Sequence, residues 1–163
     1  MNNKTYESMK KGIDSHSVIS FDVFDTLLIR PYVKPTDLFV HIELNEDVKG
    51  FATARIHAEK NARKLCQEVT FDEIYNTIDK KYAHVKVTEL DYESSLLRQR
   101  PDMTAIYRYA VEHGKKIVMM SDMYLSSDFI CEVLKKNGFD SFDEVFVSCE
   151  YRCNKSSGEL LIG

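Results

Sequence analysis

The stretch Val18-Ile19-Ser20-Phe21-Asp22-Val23-Phe24-Asp25-Thr26-Leu27-Leu28 constrains this chain more than any other. A β-prone apolar run stops abruptly at Asp22, and Asp25 and Thr26 follow within four residues. A strand that delivers a carboxylate to its C-terminal end places it where open α/β sheets bind ligands. An Asp in that position can hold a metal, act as a nucleophile, or do both. Read alone, Asp22 and Asp25 are also ordinary turn residues.

Composition narrows the function classes. At 163 residues the chain can bury one sizeable core, with room for a small insertion. A formal net charge of −4 lacks the basic footprint of a nucleic-acid binder. No apolar run reaches membrane-spanning length, and residues 1–16 are too polar for a secretory signal, so the expectation is a cytoplasmic protein without a membrane partner. Cys66, Cys131, Cys149 and Cys153 have no disulfide-framework spacing and fit a reducing compartment. Cys149 and Cys153 form half of a zinc pattern, but no second close pair or Cys/His cluster completes it, and the five histidines are scattered.

The periodicities alternate and then shift. Tyr6, Met9 and Ile13 predict a short amphipathic helix over 4–14, ahead of a strand over about 17–22. Prolines 31 and 35 make 27–35 extended. Thr36 or Asp37 then caps a helix over 37–45, and Phe51, Ala54, Ala58, Ala62 and Leu65 predict another from 50 to 66. Thr70 and Glu73 form a capping-box pattern, and Thr88 is positioned to cap a helix carrying Leu90, Ser94 and Leu97. Residues 36–98 therefore read as a helical subdomain of about four helices. An α/β alternation resumes with a helix from Pro101 to Gly114 and a buried strand Ile117–Met120 ending at Ser121-Asp122. Ser126 or Ser127 caps the next helix, which ends at Asn137-Gly138; a strand Val145–Val147 and a polar loop to Lys155 follow.

Each predicted strand contributes a polar group to one sheet edge: Asp22 from the first, Ser121 from the second, and Lys155 through the loop after the third. A carboxylate, a hydroxyl and a cation suit a phosphoryl group. The Asp attacks or holds Mg²⁺, while Ser and Lys neutralise the equatorial oxygens. Arg55, Glu59 and Arg63 share one helix face at i, i+4, i+8. That face is either a solvated salt-bridge ladder or a surface turned to the cleft, where the arginines would contact a substrate anion.

Three segments carry a family resemblance that spans about residues 17–163. Phe21-Asp22-Val23-Phe24-Asp25-Thr26-Leu27 resembles the first motif of the haloacid dehalogenase-like hydrolase superfamily, Met119-Met120-Ser121-Asp122-Met123-Tyr124-Leu125 the second, and Asn154-Lys155-Ser156-Ser157-Gly158 the third. The helical stretch 36–98 lies where that superfamily inserts a cap. The wording is similar to a branch found beside, or fused to, bacterial glycosyltransferases of surface-polysaccharide synthesis. The resemblance implies an α/β Rossmann-like three-layer core with a parallel sheet over 1–35 and 99–163, and an inserted α-helical cap over 36–98. It implies that Asp22 is the nucleophile and a Mg²⁺ ligand, with the Phe24 carbonyl as second ligand. Thr26 would steady the loop, Ser121 and Asp122 would lie at the phosphoryl group, and Lys155 would bridge nucleophile and phosphate. The substrate would be a small phosphorylated metabolite, sugar phosphates among the candidates.

Two departures from the pattern matter. The family's acid–base Asp, two residues after the nucleophile, is Phe24 here, and loss of such help costs on the order of 10²–10⁴ in rate. Asp25, one residue on where the family usually carries Gly, is the candidate substitute. An aromatic in place of the acid also occurs in dehalogenating members, which need no metal, so carbon–halogen hydrolysis is a third reading. The family's fourth motif, an acidic loop after a further strand, is not in the sequence. Its absence leaves strand 17–22 as a sheet edge open to another chain, an oligomer among the outcomes, and suggests a piece of a longer polypeptide. The rival to catalysis is a weak or inactive binding domain of a larger glycosyltransferase or polysaccharide-assembly protein.

Overall fold

A computed structural model describes residues 3–153. Its order is α1 (Asn3–Ser15), β1 (Val18–Asp22), β2 (Leu28–Ile29), α2 (Asp37–Asn45), α3 (Phe51–Leu65), α4 (Phe71–Thr77), a 3₁₀ turn (Lys80–Tyr82), α5 (Val85–Leu96), β3 (Arg98–Gln99), α6 (Pro101–Glu112), β4 (Lys116–Ser121), α7 (Ser127–Lys136), β5 (Glu144–Val147) and α8 (Ser148–Tyr151). The fold is α/β. β1, β4 and β5 form a parallel sheet in the order β1-β4-β5, as the alternation of apolar strands and amphipathic helices predicts.

The sheet register sets the site. Asp22 stands beside Met120, and Ser121 beside Val147, so the C-terminal ends of the strands share one edge. β4 is buried along Ile117–Ser121, which is why it reads as an apolar run rather than an alternation. Among the described residues β1 has no partner on its other side. Beside that open edge α1, β1 and α6 line a groove that includes Met9, Ile13, Val18 and Ile106.

β2 and β3 pair antiparallel, Leu28 with Gln99 and Ile29 with Arg98, so the chain leaves for α2–α5 and returns through a two-stranded ribbon. Thr70 caps α4 through the full capping box: its hydroxyl accepts from the Glu73 N–H, and its own N–H donates to Glu73. Ser126 caps α7, and Gly114 and Gly138 end α6 and α7 in the left-handed region.

Several expectations need correction. Thr88 does not cap α5; the helix begins at Val85, because the 3₁₀ turn hands over an already helical backbone at His84. Thr36 is likewise helical and makes no side-chain cap; Asp37 accepts instead from the Lys34 N–H. The buried face of α3 is Phe51, Ala52, Arg55, Ala58 and Ala62, whereas Leu65 is 87 % exposed. The segment after β5 is not a simple loop: it makes the helical turn α8 and then Arg152 at φ 57. Asn154, Lys155 and Ser156–Gly158 lie outside the described residues.

Gly50 precedes α3 at φ 83, and a Cβ there would meet the Tyr82 hydroxyl at 2.7 Å. That hydroxyl donates to the Lys49 carbonyl. Gly50→Ala is therefore expected to destabilise the protein by about 1–3 kcal/mol in urea denaturation.

Candidate functional site

The loop after β1 is built to present Asp22. The Leu27 and Leu28 N–H groups both donate to the Val23 carbonyl, and the Asp25 N–H donates to Leu28 O at 2.7 Å. Val23, Leu27 and Leu28 are fully buried beneath this turn. With the turn anchored from below, Thr26 Oγ1 reaches back and donates to Asp22 Oδ2 at 2.7 Å. The i, i+4 spacing of Asp22 and Thr26 thus corresponds to one tight, hydrogen-bonded turn.

Asp25 occupies φ 60, a left-handed conformation that favours glycine and that Asp tolerates better than most residues. Its carbonyl accepts from Arg100 at 3.2 Å. Its side chain is exposed and lines the cleft.

That cleft, about 360 Å³, is where the pieces meet. The sheet end contributes Asp22, Phe24, Asp25, Ser121, Asp122, Met123 and Tyr124; the helical segment contributes Phe39, Glu59, Arg63 and Glu93. The structure therefore brings together Asp22, Asp25, Ser121 and Asp122 in one cavity, with Phe24 in its wall. Thr26 touches the site through Asp22. Lys155 lies outside the described residues.

Phe24 has a structural partner. The Arg30 guanidinium stacks 4.5 Å from the centre of its ring and forms a near-buried ion pair with Glu93 at 2.6 Å. A guanidinium held this way needs an aromatic face or a carboxylate beneath it, and the wall supplies both. Arg30, Glu93 and Tyr124 escape sequence reasoning because their partners are distant in the chain: Arg30 and Glu93 are separated by 63 residues.

The Arg55, Glu59, Arg63 series is not a solvated ladder. Arg55 is 0 % exposed and binds Glu89 bidentately, with Nε and Nη2 donating at 2.9 Å. Its Nη1 donates to Glu59 at 3.1 Å, and Arg63 Nε donates to the other Glu59 oxygen at 2.9 Å. Glu59 and Arg63 face the cleft. Burial pushes the Glu89 carboxyl up, while Arg55 and the Tyr75 hydroxyl, 2.7 Å away, pull it back.

A second tie joins the helical segment to the end of the sheet. Arg152 donates from both terminal nitrogens to Glu73 at 2.8 Å, and also to the Glu68 carbonyl. The Arg152 hydrogen bond and the Thr70 N–H hold the Glu73 carboxyl down at about 2, against an ordinary 4.5. The folded value is the lower one. The tie therefore contributes fully above pH 4.5 and is lost as pH falls through about 2. Glu73→Gln is expected to flatten the loss of stability across that acid window and leave the neutral-to-alkaline profile unchanged, measured by urea denaturation at stepped pH. The effect is modest, because the pair is exposed enough for solvent to screen it.

Among the described residues no group of three or more His, Cys, Asp or Glu side chains is placed to hold a metal ion. A full protein cage is not what Mg²⁺ requires, since it keeps several waters and takes one or two carboxylates plus phosphate oxygens. The Asp22 carboxylate fits that need, and the Phe24 carbonyl accepts no hydrogen bond among the described residues. All four cysteines are free thiols. No described helix is long and apolar enough to cross a membrane. No family model and no curated protein matches the chain.

Proposed function

We propose that the chain is a haloacid dehalogenase-like phosphohydrolase, with a Rossmann-like core over 1–35 and 99–163 and an α-helical cap over 36–98. It would hydrolyse, or transfer the phosphoryl group of, a small phosphorylated metabolite through an aspartyl-phosphate on Asp22. The observation that carries this reading is the Asp22–Thr26 turn at the sheet edge, sharing one cleft with Ser121 and Asp122. A Thr hydroxyl on one carboxylate oxygen fixes the carboxylate plane and so orients Asp22 for attack on phosphorus.

In the first step an Asp22 oxygen bonds to phosphorus as the ester P–O bond breaks, and the electron pair departs with the leaving oxygen. Water then attacks phosphorus, releasing phosphate and restoring the carboxylate. Ser121 would donate to the equatorial oxygens, and Lys155 would supply a cation. Asp22 and the Phe24 carbonyl would hold Mg²⁺, which supplies charge neutralisation at the phosphoryl oxygens when bound. Asp25 lines the same cleft and is the residue proposed to move the proton that Phe24 cannot.

The runner-up is a binding domain of a larger glycosyltransferase-associated protein, with the open β1 edge as its contact surface. A cytoplasmic location accompanies either reading. One screen separates them. Magnesium-dependent phosphate release from an aryl phosphate supports hydrolysis. Absence of turnover with sugar-phosphate or glycosyltransferase binding intact supports the binding domain. Metal-independent halide release from a 2-haloacid supports a dehalogenase.

A further inference from the structure

A fully buried guanidinium is costly unless every charge and donor around it is matched. Arg55 meets that condition by touching four separate parts of the fold. On α3 it binds Glu59, and on α5 it binds Glu89, which also accepts from Tyr75 of α4. Its guanidinium carbon lies 4.6 Å from the Phe39 ring on α2 and 4.9 Å from the Tyr124 ring in the loop after β4. Helix packing alone would be served by Leu or Met at this position, with no desolvation to offset. The polar choice is explained by what the partners do.

Tyr124 closes the segment Ser121-Asp122-Met123-Tyr124, all of which lines the cleft. It is held three ways: by the guanidinium, by a stacked Phe71 ring at 6.0 Å and 16°, and by the Phe71 N–H donating to its carbonyl at 2.7 Å. On the helical side of the cleft Arg55 fixes one Glu59 oxygen, Glu59 fixes Arg63 Nε, and Arg63 Nη1 donates to the Gln67 carbonyl. Arg55 and Arg63 balance Glu59 and Glu89, so this wall is ordered without adding net charge to the cleft.

We propose that Arg55 is a positioning residue that sets both walls of the cleft, the Ser121–Tyr124 loop through Tyr124 and the Arg63 guanidinium through Glu59. The consequence for phosphoryl binding rests on the function proposed above. Arg55 touches neither wall's phosphate-binding atoms; it acts through Tyr124 and Glu59.

The test uses the full chain and the variants Arg55→Lys, Tyr124→Leu, their double, and Glu59→Gln. Amide hydrogen exchange is read by peptide for residues 121–125, with β1 and β5 as internal controls, and binding of inorganic phosphate with magnesium is read by calorimetry. Arg55→Lys is expected to speed exchange in 121–125 about tenfold or more beyond any change in β1 and β5. It should weaken phosphate about tenfold, and Tyr124→Leu added to it should weaken phosphate little further, since the two act in series. Glu59→Gln leaves the Arg55–Glu89 pair in place. It should raise KM for an aryl phosphate and leave exchange in 121–125 as in the parent.

Exchange that rises uniformly through the sheet, or stays unchanged in 121–125, overturns the proposal and leaves Arg55 a core ion pair only. Should Arg55→Lys not fold, Tyr124→Leu decides in its place, because unchanged exchange there breaks the same chain of contacts. If the parent protein binds no phosphate, the functional reading fails, and the exchange result still decides the positioning role.

Discussion

Asp22→Asn is expected to abolish magnesium-dependent phosphate release, lowering kcat/KM by at least about 10³-fold, with unfolding unchanged. An amide oxygen can still accept the Thr26 hydroxyl at the distance the carboxylate holds, 2.7 Å, so the turn has no reason to open. The amide oxygen is a far weaker nucleophile, however, and brings no charge to a metal. Coincident urea transitions with a collapse in turnover would locate the defect in chemistry rather than in folding. Equal activity in the two proteins would remove Asp22 from the mechanism.

The largest stability effect is expected at Arg55. Arg55→Met should cost about 3–5 kcal/mol in urea denaturation, because it leaves the buried Glu89 carboxylate without its counter-charge. Adding Glu89→Leu should recover part of that loss, since the unpaired buried charge is then gone while the Tyr75 hydroxyl loses its acceptor. The exposed pair Lys86–Asp72, also close at 2.7 Å, provides the contrast. Its side chains are 37 % and 76 % exposed, so Lys86→Met should change stability by only about 0.5 kcal/mol. Burial, rather than distance, decides between the two pairs.

These two residues also mark what the sequence does and does not disclose. Asp22 is legible because the features that place it are local: a strand, a turn and a hydroxyl four residues on. The parallel sheet is legible for the same reason, as are the Thr70–Glu73 capping box and the Ser126 cap. Arg55 is not legible. Its i, i+4 neighbours suggest a surface ladder, and the partner that lets it be buried, Glu89, lies 34 residues away on another helix. The face of α3 is misjudged at Leu65 for a related cause: an apolar residue at the right spacing says nothing of whether the last turn still has a neighbour to pack against. Thr88 fails as a cap because the preceding turn had already set the backbone. The Arg30–Glu93 pair over Phe24 is likewise a tertiary event, joining β2's exit to α5.

Phe24 makes the aspartyl-phosphate on Asp22 open to direct detection. An aryl leaving group departs without a proton, so the first step proceeds, whereas attack of water on the acyl-phosphate depends on Asp25, one residue from the usual base position, and should slow. The covalent intermediate is therefore expected to accumulate during turnover. Borohydride reduction of an acid-quenched reaction, followed by mass spectrometry of the peptide containing Asp22, reads it directly. The expected result is conversion of Asp22 to homoserine, dependent on both magnesium and the aryl phosphate and absent in Asp22→Asn. An unmodified Asp22 in a reaction that releases phosphate would contradict it.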